Sequence, residues 1–299
     1  MKKPVITKLL TAASSIATSV MIKTPTTTIA VTLTLLALSG CAQQETPNTV
    51  KDKTSSMEAE MVKGNQLSDF YVLKSESIKQ IEPNKSVQLT FSVKEKQSEI
   101  PVRSFERVHE KLAHLIVVSK DLTEFQHLHP DIVGAGKLSV KTTFPKDGQY
   151  LCFLQFSTPE HEEQTVKETL QVGSGSGGAE HRLVPDADKP KIIDGYKFSI
   201  SSLPTATNVA TMPMVAIEKD GRPVANIQPY LGAGGHGVIV SEDAQYFLHV
   251  HPMSEATDGK YASPVMFHTV IPKPGLYKMW AQFQIDGKLK VADFTFRVK

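Results

Sequence analysis

HLIVVSKDLTEFQHLHP, residues 114–130, and HGVIVSEDAQYFLHVHP, residues 236–252, are two copies of one pattern. Both read H-x12-H-x-H-P, with Ser119 and Ser241, Asp121 and Asp243, and Phe125 and Phe247 in register. Six of the ten histidines fall in these two stretches. The correspondence continues outward: Pro101-Val102 and Pro223-Val224 precede the two copies at the same distance, and FPKDGQYLCFLQF (144–156) aligns without a gap with IPKPGLYKMWAQF (271–283). A match of this extent denotes a tandem duplication of one folded unit.

The hydrophobic period within each copy is two, the period of a strand with one face buried. Val87, Leu89, Phe91 and Val93 alternate with polar residues, as do Tyr277, Met279, Ala281 and Phe283, and then Phe294, Phe296 and Val298. Turn signals interrupt these runs at Glu82-Pro83-Asn84, Lys146-Asp147-Gly148, Lys219-Asp220-Gly221 and Asp286-Gly287, the last a strong two-residue hairpin signal. Many short alternating strands per hundred residues predict an all-β chain of two tandem immunoglobulin-like antiparallel β-sandwich domains. The only segment with helical promise is SFERVHEKLAH, residues 104–114. The predicted modules span 67–172 and 181–299. The glycine–serine run of residues 173–178 lies in the linker, 173–180, and a run of that composition predicts two separate bodies.

The N-terminus reads as an export signal. Lys2, Lys3, Lys8 and Lys23 precede an apolar run from Ile29 to Leu38, which ends in Leu38-Ser39-Gly40-Cys41, the pattern of a bacterial lipobox. Residues 1–40 are then a lipoprotein signal peptide, with Met1 or Met21 as the start, and Cys41 is the lipidated N-terminus of the mature chain. The apolar run is too short to span a bilayer as an anchor. Residues 41–66, polar and free of aromatics, form a flexible tether. The expected place is extracytoplasmic, on the membrane, and on the periplasmic face of the outer membrane in a Gram-negative host. Without the four leader lysines, 29 basic residues face 31 acidic ones, a balance that suggests neither nucleic acid nor an anionic membrane surface as a partner. Cys152 is the one thiol left, which excludes an internal disulfide and suits a buried strand position.

Histidines at i and i+2 on a strand project from one face, about 6.5–7 Å apart at Cα. Their imidazoles can therefore converge on one ion, since metal–nitrogen bonds are about 2.0–2.1 Å. The S-x-D turn lets the chain return, so the histidine thirteen residues earlier can complete a set of three. The candidate ligands are His114, His127 and His129 in the first module and His236, His249 and His251 in the second. His109 and Met253, which follows His251-Pro252, are additional candidates. Three neutral imidazoles suit copper or zinc, not calcium or magnesium. Other chemistry is disfavoured. YLGAGGHG, residues 230–237, lacks the Lys-Ser/Thr of a phosphate loop, and HEKLAH has one residue too many for a zincin helix. No nucleophile–base pair stands out. Should water activation occur, Glu106 and Asp121 are the carboxylates nearest in sequence.

HEKLAHLIVVSKDLTEFQHLHP and PYLGAGGHGVIVSEDAQYFLHVHP resemble the signature stretches of bacterial exported lipoproteins with YtkA-like sandwich domains. That resemblance implies heavy-metal handling but no settled activity. In such proteins a methionine commonly precedes the first histidine of the second motif, where this chain has Gly235, with Ala113 in the other copy. The expectation is a non-enzymatic, lipid-anchored metal-binding protein, for copper or else zinc, that serves as a buffer, a chaperone or an efflux accessory. A metal-transfer or efflux protein would be its partner. The competing expectation is a structural or interaction lipoprotein whose histidines only brace strand ends.

Overall fold

The computed structural model describes residues 67–76, 80–175, 182–186, 189–253 and 256–299; the signal segment, Cys41, the tether and part of the glycine–serine run lie outside the described residues. The described residues form strands and turns, with no helix. SFERVHEKLAH is accordingly not helical: Val108 and Lys111 pair across a tight turn whose two central residues, His109 and Glu110, have φ of 45° and 66°.

The first module contains β1 (Tyr71–Ser75), β2 (Ser86–Glu95), β3 (Ala113–Ser119), β4 (Phe125–Leu128), β5 (Asp131–Gly134), β6 (Lys137–Thr143), β7 (Gly148–Phe156) and β8 (Gln164–Val172). They make two four-stranded antiparallel sheets, ordered β1-β2-β6-β5 and β4-β3-β7-β8. The period-two pattern does what it predicts: Leu89, Phe91 and Val93 of β2 and Leu115, Val117, Tyr150, Cys152 and Leu154 of β3 and β7 meet in the core between the sheets.

The second module repeats the plan. Its strands are β9 (Lys191–Ile193), β10 (Tyr196–Ser201), β11 (Ala210–Thr211), β12 (Met214–Lys219), β13 (Arg222–Pro223), β14 (His236–Ser241), β15 (Phe247–Val250), β16 (Val265–Met266), β17 (Thr269–Val270), β18 (Gly275–Ile285) and β19 (Lys288–Val298). One sheet runs β13-β12-β10-β9, with β16 also on β12; the other runs β15-β14-β18-β19. Asp286 and Gly287, with φ of 50° and 68°, close the β18–β19 hairpin as a two-residue turn. Phe198, Ile217, Ile239, Met279, Ala281 and Phe283 belong to the core of this module.

The expectation of two separate bodies is not met. The sheets β4-β3-β7-β8 and β15-β14-β18-β19 each turn a second apolar face outward, and the two faces pack together. Ile116, Val118, Leu122, Leu151 and Phe153 of the first module join Val238, Val240, Ala244, Phe247, Leu276 and Trp280 of the second in one buried cluster. Phe153 stacks on Phe247 with centroids 4.7 Å apart, and Phe125 stacks on Trp280 at 5.0 Å. The physical reason is burial: a flexible linker permits independent motion, but apolar faces of this kind are driven out of water at about 25 cal/mol per Å².

Candidate metal centre

Each histidine triad is built on a hairpin. In β3 and β4, Leu115 pairs with Leu128 and Ile116 with His127, so continuing the register by one residue sets His114 opposite His129. In β14 and β15, Gly237 pairs with Val250, which sets His236 opposite His251 in the same way. The H-x12-H-x-H spacing thus combines one cross-strand pair with one i, i+2 neighbour, all on a single face. The hairpin turns are held by their own side chains. Ser119 Oγ donates to Asp121, which also accepts from the Thr123 amide at 3.1 Å. In the second copy Ser241 Oγ donates to Asp243 at 2.5 Å, and the Gln245 amide donates to it at 3.1 Å.

His114, His127 and His129 present ligand atoms that lie within 4.8 Å of one another, and so do His236, His249 and His251. His114 and His236 are fully buried. Burial holds His114 and His127 at about 4, His129 and His251 at about 3 and His236 at about 2, with His249 also well below the ordinary histidine value. Like charges on neighbouring histidines add to this, so the imidazoles are neutral at physiological pH and need lose no proton to become ligands.

With each glutamine Oε1 toward its histidine, the outer partners set the tautomers. A backbone carbonyl only accepts, so at 3.0 Å His114 Nε2–H donates to Val108 O, leaving Nδ1 with its lone pair. His127 Nδ1–H donates to Gln282 Oε1 at 2.7 Å, leaving the lone pair on Nε2. His114 Nδ1 and His127 Nε2 face each other at 3.0 Å. In the second module His249 Nδ1–H donates to Gln155 Oε1 at 2.5 Å, and His236 Nδ1 faces His249 Nε2 at 3.1 Å. The third member of each set, His129 or His251, has a buried Nε2 with no hydrogen-bond partner. Two lone pairs turned toward each other beside an orphaned buried nitrogen describe a place for a cation.

Both glutamines lie across the module boundary from the histidine they hold: Gln282 of β18 serves His127, and Gln155 of β7 serves His249. The sequence reading missed them. They occupy equivalent positions in the aligned segments ending Gln155-Phe156 and Gln282-Phe283, but the strand face they occupy counts only once the modules pack together.

His109 lies outside both groups of converging ligand atoms. From the 108–111 turn of the first module it stacks on His251 of the second, with centroids 3.6 Å apart and planes 28° apart. Met253 is 60% exposed and lies outside both groups of ligand atoms, beyond the end of β15 at Val250. Glu106 is exposed, and Asp121 is engaged in the hairpin turn. His161 bonds the Tyr71 hydroxyl at 3.0 Å and stacks on Phe70. Cys152 is buried, and burial pushes its thiol far above the usual range. The glycines before His236 serve packing. A Cβ at Gly235 would lie 2.7 Å from the Gln282 carbonyl oxygen, and one at Gly234 would lie 2.6 Å from the Tyr261 ring. The position before the first histidine therefore has no room for a methionine.

A family model described as a domain of unknown function, DUF8832, matches residues 67–174 and again 191–299. No curated protein matches the sequence. Among solved structures, a protein described as membrane-anchored from Corynebacterium diphtheriae is 12% identical over 77% of this chain and 59% of its own, with a TM-score of 0.23. A tetra-tandem repeat from the extending region of a large adhesion protein is 8% identical over 77% of this chain and 49% of its own, at 0.24. A two-domain fibronectin type III segment of chicken tenascin is 12% identical over 77% and 99%, at 0.23. The chain thus spans about half to three fifths of the first two.

Proposed function

The chain belongs to the DUF8832 family, whose domain it carries twice, and we propose that the paired domains form an extracytoplasmic metal-binding protein, anchored by lipid at Cys41, which holds copper on its histidine triads. It acts as a buffer, a chaperone or an efflux accessory, and no catalytic step is invoked. One observation carries the reading: His114 Nδ1 and His127 Nε2 face each other with the orphaned His129 Nε2 in the same group of ligand atoms, as do their counterparts in the second module. Imidazole donors without carboxylates suit copper and zinc over calcium, magnesium or manganese. When bound, the ion would supply a transferable cargo. The chain's own residues supply neutral imidazoles and the hydrogen-bonded outer partners that orient them. The resemblance to YtkA-like exported domains supports the location and the metal class.

A second reading, a structural or interaction lipoprotein, has one observation in its favour. With the Gln282 amide turned over, Gln282 would donate to His127, His127 to His114 and His114 to Val108, an unbroken hydrogen-bonded chain without metal. That chain, and its counterpart through Gln155 and His249, leave His129 Nε2 and His251 Nε2 unsatisfied, at a typical cost of about 1–3 kcal/mol each.

The test is titration of a soluble form, residues 42–299, with copper(I), copper(II) and zinc, followed by elemental analysis after desalting. The His127→Ala/His249→Ala variant is run beside it. Ions retained by the native chain and lost in the variant are the expected result. No retention at micromolar metal would pass the site to the structural reading.

A further inference from the structure

The two triads do not sit in two distant sites. Within a triad the ring centroids lie 4.6–5.3 Å apart. Across the module boundary His114 lies 5.2 Å from His249, His127 lies 5.4 Å from His249 and 5.9 Å from His236, and His114 lies 6.4 Å from His236. The six imidazoles, two fully buried and four partly buried, therefore form one cluster, joined across the boundary through His114, His127, His236 and His249. Each set also depends on the other module, through the Gln282 and Gln155 amides.

The second feature is charge. No aspartate or glutamate belongs to either triad. Outer partners of metal-bound histidines are often carboxylates; here they are two neutral amides and, for His114, a backbone carbonyl. Lys111 lies near enough to His114 and His129 to disfavour positive charge on them. Glu110, on the adjoining turn, is exposed and packs beside Gly232. Positive charge brought into the cluster is thus uncompensated by the protein.

We infer that the paired triads form a charge-limited double site, which accepts two monovalent ions together but only one divalent ion at a time. The inference rests on the metal-binding reading. Repulsion between two ions at fixed separation scales with the product of their charges, so two divalent ions repel four times as strongly as two monovalent ones, in a low-dielectric interior that screens poorly. Loading one triad with a divalent ion suppresses the other. Copper(I) is then the natural cargo of the full site, whereas zinc occupies half of it.

Copper(I) under anaerobic conditions and zinc(II) are suitable probes, since both are closed-shell ions that impose no geometry through their d electrons. Stoichiometry is read by native mass spectrometry, and affinity by competition with a chelator. The native chain is expected to bind two copper(I) but one zinc, with a second zinc at least roughly 100-fold weaker than the first. His127→Ala/His129→Ala and His249→Ala/His251→Ala, each disabling one triad, are each expected to bind one copper(I) and one zinc. His129→Ala and His251→Ala, which remove rings that make no hydrogen bond, repeat the comparison with the hydrogen-bonded frame intact. Two zinc ions of similar affinity in the native chain would overturn the charge limit while leaving metal binding in place. Zinc binding in only one of the two triad variants would also overturn it, by showing that a single competent site explains the count. Failure of both ions to bind the native chain would remove the metal-binding reading itself.

Discussion

Gln282 and Gln155 decide which nitrogen of His127 and His249 carries the proton. Replacing Gln282 with leucine removes the acceptor for His127 Nδ1–H and frees the ring to take the other tautomer or to turn. Outer partners of this kind are typically worth 10- to 100-fold in metal affinity. Gln282→Leu is therefore expected to weaken the first module's triad by about that factor, although the substitution lies in the second module. Gln155→Leu should do the same to the second triad. Competition titration of both variants checks it, and a loss confined to the module that carries the substitution would defeat the argument. Glu163 Oε1 is buried without a partner, and burial raises the carboxyl from 4.5 to about 7. Between those values the unfolded chain releases a proton that the folded chain keeps, so stability is present below pH 4.5 and is lost as pH rises to 7. Glu163→Gln should match the native protein near pH 4 and exceed it at pH 8 by on the order of 1–3 kcal/mol. Urea unfolding at the two pH values decides this; equal differences at both would count against it.

At the scale of elements, the strands β3 and β14 explain what the sequence shows and what it hides. Leu115-Ile116-Val117-Val118 and Val238-Ile239-Val240 are unbroken apolar runs, and every residue of both strands is buried. A strand buried on both faces loses the alternation that marks a half-exposed one. The runs thus already implied a covered outer face, while the neighbouring period-two strands and the hairpin signals made the sandwich plan legible. The cover itself was not legible. It comes from the equivalent sheet of the other copy, and nothing in a Gly/Ser linker predicts that two domains adhere. The same gap concealed the proximity of the two triads, although each triad on its own followed from strand periodicity and the turn at Asp121 or Asp243. His109 shows the limit of spacing arguments: a turn with positive φ at two successive residues carries it to the other module. Two aromatic stacks belong to this interface. Trp280→Ala, which removes the ring from Phe125, should cost about 3–5 kcal/mol and leave the β14–β18 ladder in place. Chemical denaturation measures the loss; a change below about 1 kcal/mol would mean that the interface contributes little to folding.

The whole molecule behaves as a dimer fused into one chain. Phe125 meets Trp280 while Phe247 meets Phe153, and His127 meets Gln282 while His249 meets Gln155. Trp280 and Phe153 are equivalent in the aligned repeats, as are the two glutamines. These two pairs of contacts are returned, the pattern of a two-fold, self-complementary interface, while the stack of His109 on His251 belongs to one side alone. A face that fits its own duplicate should fit a second copy of itself. The first module, residues 67–175, has its own core between its two sheets and, separated from the second, would expose Ile116, Val118, Leu151 and Phe153 to water. It is expected to pair with another first module through β4-β3-β7-β8, with Phe153 of each copy on Phe125 or its neighbours and Gln155 of each within reach of the partner's His127. Sedimentation of the isolated module should show a dimer at micromolar concentration, and Phe153→Asp, which places a charge in the apolar face, should return it to a monomer. Such a dimer would rebuild the six-histidine cluster from two identical triads and bind two copper(I) ions per pair. A folded module that stays monomeric at high concentration would show that the interface depends on features unique to each copy, and that the duplication has lost its two-fold complementarity.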